Sequence, residues 1–168
     1  FATAADELLV SLARLDDRQM PLAIRGLSQE MFETLAPEMT GLNRVLLSNL
    51  WLFKPLVESQ LKKGASTSAS LRTTTALTVV QAGNADNVLP GRANATVNFR
   101  VLPGDTLDGV VAHVNDTVKN PAIKVDRLPG ASEPSKVAGT DAPGYQLIAK
   151  TLRQLHPDVV VAPGLIIG

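Results

Sequence analysis

The sequence predicts an α+β fold: a two-layer, βαββαβ-like antiparallel sheet with helices on one face, lacking its first strand and carrying a helical insert. Three observations predict it. Apolar residues recur at helical spacing at the front of the chain, alternation with period two takes over after residue 72, and helical spacing returns from residue 107. At 168 residues the chain is long enough for one domain with a real core and too short for a second full one.

The first helix starts at Thr3, a candidate N-cap with Asp6 three residues later, and places Ala5, Leu8, Leu9, Leu12 and Leu15 along one face. Helical patterning resumes from Ser28 through Met31, Phe32 and Leu35. It continues from Leu42 to Leu61, where Leu46, Leu50, Phe53, Leu56 and Val57 form an apolar face interrupted by Pro55. This insert, about 28–63, ends in the small-residue tract Gly64 to Ser70, which reads as a flexible connector.

Thr73 to Val80 is rich in β-branched residues, and Ala93 to Val101 alternates, so both are expected strands. The link between them is too long for a tight hairpin, with turn residues at Gly83 to Asn87 and a second bend at Pro90-Gly91. Pro103-Gly104-Asp105-Thr106 caps a helix with Leu107, Val110, Val111, Val114 and Val118 on its apolar face. Ile123 to Val125 is a short third strand, Pro129 to Gly139 a loop, Pro143 to Leu155 a helix, and Val159 to Ala162 a buried strand. The apolar end Leu165 to Gly168, with no polar tail, is expected to be a truncation, although a tightly docked terminus would look the same.

Composition narrows the chemistry. Sixteen basic residues balance sixteen acidic ones without a long run of either sign, which removes the footprint of a nucleic-acid binder. There is no cysteine, hence no disulfide and no thiol nucleophile, and no stretch approaches the ~20 apolar residues of a membrane span. His113 and His156, the two histidines, fall in no metal-ligand spacing and read as solvated surface residues. The match Ser59 to Lys62 lacks the partner motifs that would make it a nucleophile. No phosphate-cradling glycine loop is present. One candidate surface is left, the polar face of the 93–101 strand with Asn94, Thr96, Asn98 and Arg100, where the guanidinium fork suits a carboxylate. A solvated sheet face would look the same.

Several consecutive segments resemble one family. They are Asn49 to Leu56 (NLWLFKPL), Arg72 to Ala76 (RTTTA), Asn87-Val88-Leu89-Pro90, Asn98-Phe99-Arg100 and Pro103 to Thr106, together with Glu133-Pro134-Ser135 and Pro163-Gly164-Leu165. The resemblance is to the lid, or dimerisation, domain of the di-zinc aminoacylase and carboxypeptidase metallopeptidases, nearest their Gly-Xaa carboxypeptidase, or carboxypeptidase S, branch.

It implies a ferredoxin-like lid over 1–140, and over 141–168 a segment returning towards a catalytic domain outside the chain. That domain would hold two zinc ions and a glutamate general base. It further implies a homodimer formed through the lid sheet and helices, and a dipeptide or N-acyl amino acid substrate. Nucleic acid and membrane contact from this segment are not expected. By position Asn87 matches the Asn that hydrogen-bonds substrate, and Arg100 the Arg that clamps its free carboxylate. The lid His of that family precedes the first helix and has no counterpart here. A stand-alone ferredoxin-like interaction or small-ligand module is the alternative.

Overall fold

The computed structural model describes residues 2–165; Phe1 and the apolar residues 166–168 lie outside the described residues. It has an α+β fold of seven α-helices, one 3₁₀ turn and a two-stranded antiparallel sheet among the described residues. Two compact units divide the chain, one comprising residues up to Pro21 with Thr73–Pro134, the other Leu22–Arg72 with Ser135 onward.

In the first unit, α1 (Ala4–Asp17) opens with the expected capping box. The Thr3 hydroxyl accepts the Asp6 N–H at 3.2 Å, and the Thr3 N–H donates to the Asp6 carboxylate at 2.8 Å, so two otherwise orphaned donors are satisfied. Thr3→Ala is expected to cost about 1 kcal/mol, read from urea unfolding. Leu8, Leu12 and Leu15 are buried as predicted, whereas Leu9 is 56% exposed. The buried stripe runs through Ser11 instead, because positions 8, 11, 12 and 15 share a helical face and position 9 is rotated about 100° from 8.

Strands β1 (Thr74–Ala82) and β2 (Ala93–Arg100) form the sheet, in register from Thr74 opposite Arg100 to Ala82 opposite Ala93. A bulge leaves Thr78 without a partner between Leu77 and Val79, and its hydroxyl bonds to the Thr96 carbonyl at 3.1 Å. Beyond β2, Leu102 to Asp105 make a type II turn: Pro103 presets the second residue, Gly104 takes φ +97°, and the Asp105 N–H returns to the Leu102 carbonyl at 2.9 Å. Helix α6 (Leu107–Val118) follows, its Thr106 cap accepting Gly109 N–H at 3.0 Å. The Glu133 carboxylate accepts Leu107 N–H at 3.1 Å, a negative charge at the positive end of the helix.

Helices α1 and α6 lie together over the sheet. Leu15, Met20, Val110, Val114 and Val118 pack with Val97, Phe99 and Val101, so the helices cover one face, as the alternation of β2 predicts. Ile123 and Val125 join this core, but 123–125 forms no ladder, which corrects the expected third strand. Pro121 supplies no donor at its entrance, and the Ile123 N–H is spent in a turn to the Asn120 carbonyl at 3.1 Å. The period of two survives as Ile123 and Val125 turned inward between exposed Lys124 and Asp126.

Two carboxylates in this unit titrate abnormally. The Thr3 backbone and hydroxyl hold the Asp6 pKa below the ordinary value, and Lys119 with Arg18 lowers that of Asp116, whose carboxylate lies 2.8 Å from Arg18. Because both are depressed in the folded state, their contribution is present above the unfolded aspartate value, about 4, and disappears as pH falls through the lower folded values. The urea midpoint is therefore expected to drop below about pH 4, and less steeply in an Asp6→Asn/Asp116→Asn variant.

The second unit is helical. Helices α2 (Leu27–Leu35), α3 (Gly41–Ser48) and α4 (Leu50–Leu61) surround Ile24, Leu50, Val57 and Leu71, with Phe32, Leu46 and Phe53 packed against them. Gly26, at φ +53° and ψ −130°, starts α2 in a conformation closed to other residues. The break in the long helical pattern falls at Asn49 rather than Pro55, which α4 carries internally. The Asn49 amide donates to the Val45 carbonyl at 2.9 Å while its own carbonyl starts α4, so a side chain competing for backbone partners ends one helix and begins the next.

The expected flexible connector is also ordered: Ala65–Ala69 form α5, with Thr67 donating to the Leu61 carbonyl at 2.8 Å and Ser68 buried. The Thr67 and Ser70 hydroxyls bind nearby carbonyls, which a composition-based reading does not foresee. The buried Ile24 N–H donates to the Glu58 carboxylate at 2.8 Å. Glu58→Ala should cost about 1–3 kcal/mol in thermal unfolding by stranding that donor, and Glu58→Gln less.

Helix α7 (Pro143–Leu155) occupies its predicted span but buries only Ala149, leaving Leu147, Ile148 and Leu155 at least 60% exposed. Val159 to Ala162 is not a strand. No other strand lies in this unit among the described residues, so it has no ladder to join, and Tyr145 OH donates to the Val161 carbonyl instead.

Candidate functional site

The outer face of the sheet is built by the alternation of β2. Val97 and Phe99 turn towards the helices, while Asn94, Asn98 and Arg100 are exposed and Thr96 is partly buried. Asn94 donates to Gln81 across the strands at 3.4 Å. Arg100 closes β2 opposite Thr74, and among the described residues no hydrogen bond or ion pair engages its guanidinium.

Asn87 lies in the 83–92 link, in a turn at the other end of the hairpin, beside Val88 and Leu89, which are 55% and 77% exposed. The seven residue steps from Ala93 to Arg100 cover roughly 23 Å at strand rise, so the two predicted site residues are not brought together within one copy of the chain.

The backbone behind Arg100 is held by residues that the sequence did not single out for a site. Thr73, fully buried, donates its hydroxyl proton to Asp105 Oδ2 at 2.5 Å and accepts the Leu102 N–H at 2.9 Å. Both belong to segments quoted for the family resemblance, but they are 32 residues apart and no local pattern pairs them.

Neither histidine gathers other ligands. His113 is half-buried rather than solvated, and its Nε2 lies 2.8 Å from the Arg18 carbonyl at the end of α1; a ring nitrogen facing a carbonyl must carry the proton, so His113 is a strut between helices. His156 is exposed at the end of α7. Among the described residues no three His, Cys, Asp or Glu side chains form a set that could hold a metal ion, and the residues present do not fit the zinc pair that the resemblance implies. No helix among them is long and apolar enough to cross a membrane.

Fold and surface together define a small α+β module that presents an arginine unpartnered among the described residues, an exposed amide and apolar strand residues. Comparison with known proteins places it more closely. Residues 4–126 match the model of the peptidase dimerisation domain of the M20 family, and the chain belongs to that family.

Among curated proteins it is 41% identical over 138 residues to probable carboxypeptidase S-like 2 of Dictyostelium discoideum, covering 82% of this chain and 27% of that one. It is 35% identical over 168 residues to the N-fatty-acyl-amino acid synthase/hydrolase PM20D1 of Xenopus tropicalis, covering 99% and 33%. The human protein of that name is 36% identical over 170 residues, covering 99% and 34%. The chain thus spans about a third of the length of these relatives. No solved structure gives a significant match.

Proposed function

We propose that the chain is the substrate-binding and dimerisation part of a zinc-dependent hydrolase that cleaves an amide bond next to a free carboxylate, in dipeptides or N-acyl amino acids. The observation that carries this reading is Arg100, an exposed guanidinium that pairs with nothing among the described residues, fixed at a strand end within a peptidase dimerisation domain. An arginine fork matches a carboxylate in shape as well as charge. Asn87 is its companion in substrate binding, offering an amide from an exposed loop tip. The span between the two means that in one copy they reach separate places, so a compact substrate meets one of them from a given chain.

Two zinc ions, held by residues outside this chain, would supply the activated water, and these residues would bind and orient the substrate around it. In the same reading 1–140 is the lid, with its insert at about 28–63, and 141–168 returns towards the catalytic part. Leu77, Val79 and Val80 on β1, each more than 40% exposed, support self-association through the sheet, since among the described residues β1 pairs with β2 alone and two strands bury few apolar residues.

The intact protein tests this directly. It is expected to hydrolyse an N-acyl amino acid, to lose that activity to a chelator and regain it with zinc, and to leave the corresponding carboxamide largely uncleaved. Equal turnover of acid and carboxamide, or indifference to the chelator, would overturn the reading. Asn87→Ala should lower kcat/KM by about tenfold, measured on the same substrate.

A further inference from the structure

We propose that Thr73 and Asp105 form a positioning clamp that holds Arg100 in its substrate-binding pose, an inference resting on the reading of Arg100 given above. Arg100 and Thr74 are the last pair of the ladder, and terminal pairs fray unless something beyond them is tied. The chain is tied here by side chains. Thr73, one residue before β1, accepts the N–H of Leu102, two residues past Arg100, so strand pairing continues by a hydroxyl where the backbone ladder stops.

The hydroxyl proton goes to Asp105, which the Leu102–Asp105 turn folds back towards Thr73. A buried hydroxyl is costly unless its donor and acceptor roles are both used, and at Thr73 both are, with the side chain at 0% exposure. Among the described residues no hydrogen bond or ion pair aims the Arg100 guanidinium. Its direction therefore depends on the backbone from which it projects, and the clamp fixes that backbone from the far side of the terminal pair. Thr73 and Asp105 touch no substrate in this scheme; they act through Arg100.

The test uses the intact protein with Thr73→Val, close to isosteric but without either hydrogen bond, and Thr73→Ser, which keeps the hydroxyl. Each is measured on an N-acyl amino acid and on its carboxamide, alone and combined with Arg100→Ala. Thr73→Val is expected to lower kcat/KM on the acid about tenfold, chiefly through KM, with little change on the carboxamide, while Thr73→Ser stays within about twofold of the parent. In the Arg100→Ala background Thr73→Val should have no further effect, since residues acting as a unit are non-additive.

Equal losses on acid and carboxamide, or losses that add to those of Arg100→Ala, overturn the clamp. So does an unchanged Thr73→Val alongside a strongly impaired Arg100→Ala, which leaves the reading of Arg100 intact. A silent Arg100→Ala refutes that reading and the clamp with it. If Thr73→Val does not fold, Asp105→Asn, which removes the charge from the same hydrogen bond, is judged by the same comparison.

Discussion

Arg100→Ala in the intact protein is expected to lower kcat/KM for a substrate bearing a free carboxylate by at least tenfold, a loss of about 1.4 kcal/mol in transition-state stabilisation, with the carboxamide analogue nearly unaffected. The size follows from the environment. Arg100 is exposed in this chain and pairs with nothing among the described residues, so its removal costs the fold little and the loss is concentrated in binding. Once a substrate excludes water from the pair, a bidentate guanidinium–carboxylate contact is among the stronger hydrogen-bonded interactions available. Arg100→Lys should recover part of the loss, because a point charge remains but the planar fork does not. Steady-state kinetics on the acid and carboxamide pair, for parent and both variants, decide it: an unchanged ratio of the two efficiencies would remove Arg100 from the site.

Leu15→Ala is expected to have the largest effect on stability, about 3 kcal/mol, within the range for a leucine truncated in a packed core. Leu15 is 1% exposed and sits where α1 meets Val110, Val114 and Val118 of α6. The cavity would open beneath the sheet residues that carry the outer face, with little room for collapse. Urea unfolding should show a lower midpoint with an unchanged slope, the signature of lost packing in an otherwise similar fold. A loss below about 1 kcal/mol would mean that this interface is looser than its burial indicates.

The elements most legible in the sequence are those whose signals are local. Thr3 and Asp6 announce the capping box, Pro103 to Thr106 the turn and cap before α6, and Pro143 to Leu155 a helix that forms over that same span. The failures are cases where distant or competing partners decide. Ile123 and Val125 keep strand alternation but find no ladder, and within 65–70 the Thr67 and Ser70 hydroxyls bond to carbonyls of a helical turn. His113 looked solvated because nothing local reveals that the Arg18 carbonyl waits 95 residues earlier in the chain.

At the candidate site, Arg100 and its outward direction are legible from alternation, and its proposed role in gripping substrate only through family resemblance. The buried Thr73–Asp105 bond could not be read at all, since a threonine beside a strand and an aspartate in a turn are each common and only the fold joins them.

The discontinuous layout of the first unit also governs the order in which it can be completed. α1 is synthesised well before its packing partner α6, which lies about a hundred residues later, the Arg14 side chain bonding to the Val118 carbonyl across 104 positions. At roughly 5–20 residues per second, Leu8, Leu12 and Leu15 wait on the order of 5–20 seconds for α6 to be synthesised. During that interval the helical segment after Pro21 can assemble on its own local contacts, whereas the sheet unit must close its longest loop last. High contact order of this kind slows folding and leaves an apolar helix uncovered meanwhile. The nascent chain should therefore depend on chaperones most strongly until residue 118 has emerged, and substitutions in α1 should impair yield during synthesis more than they impair the finished protein.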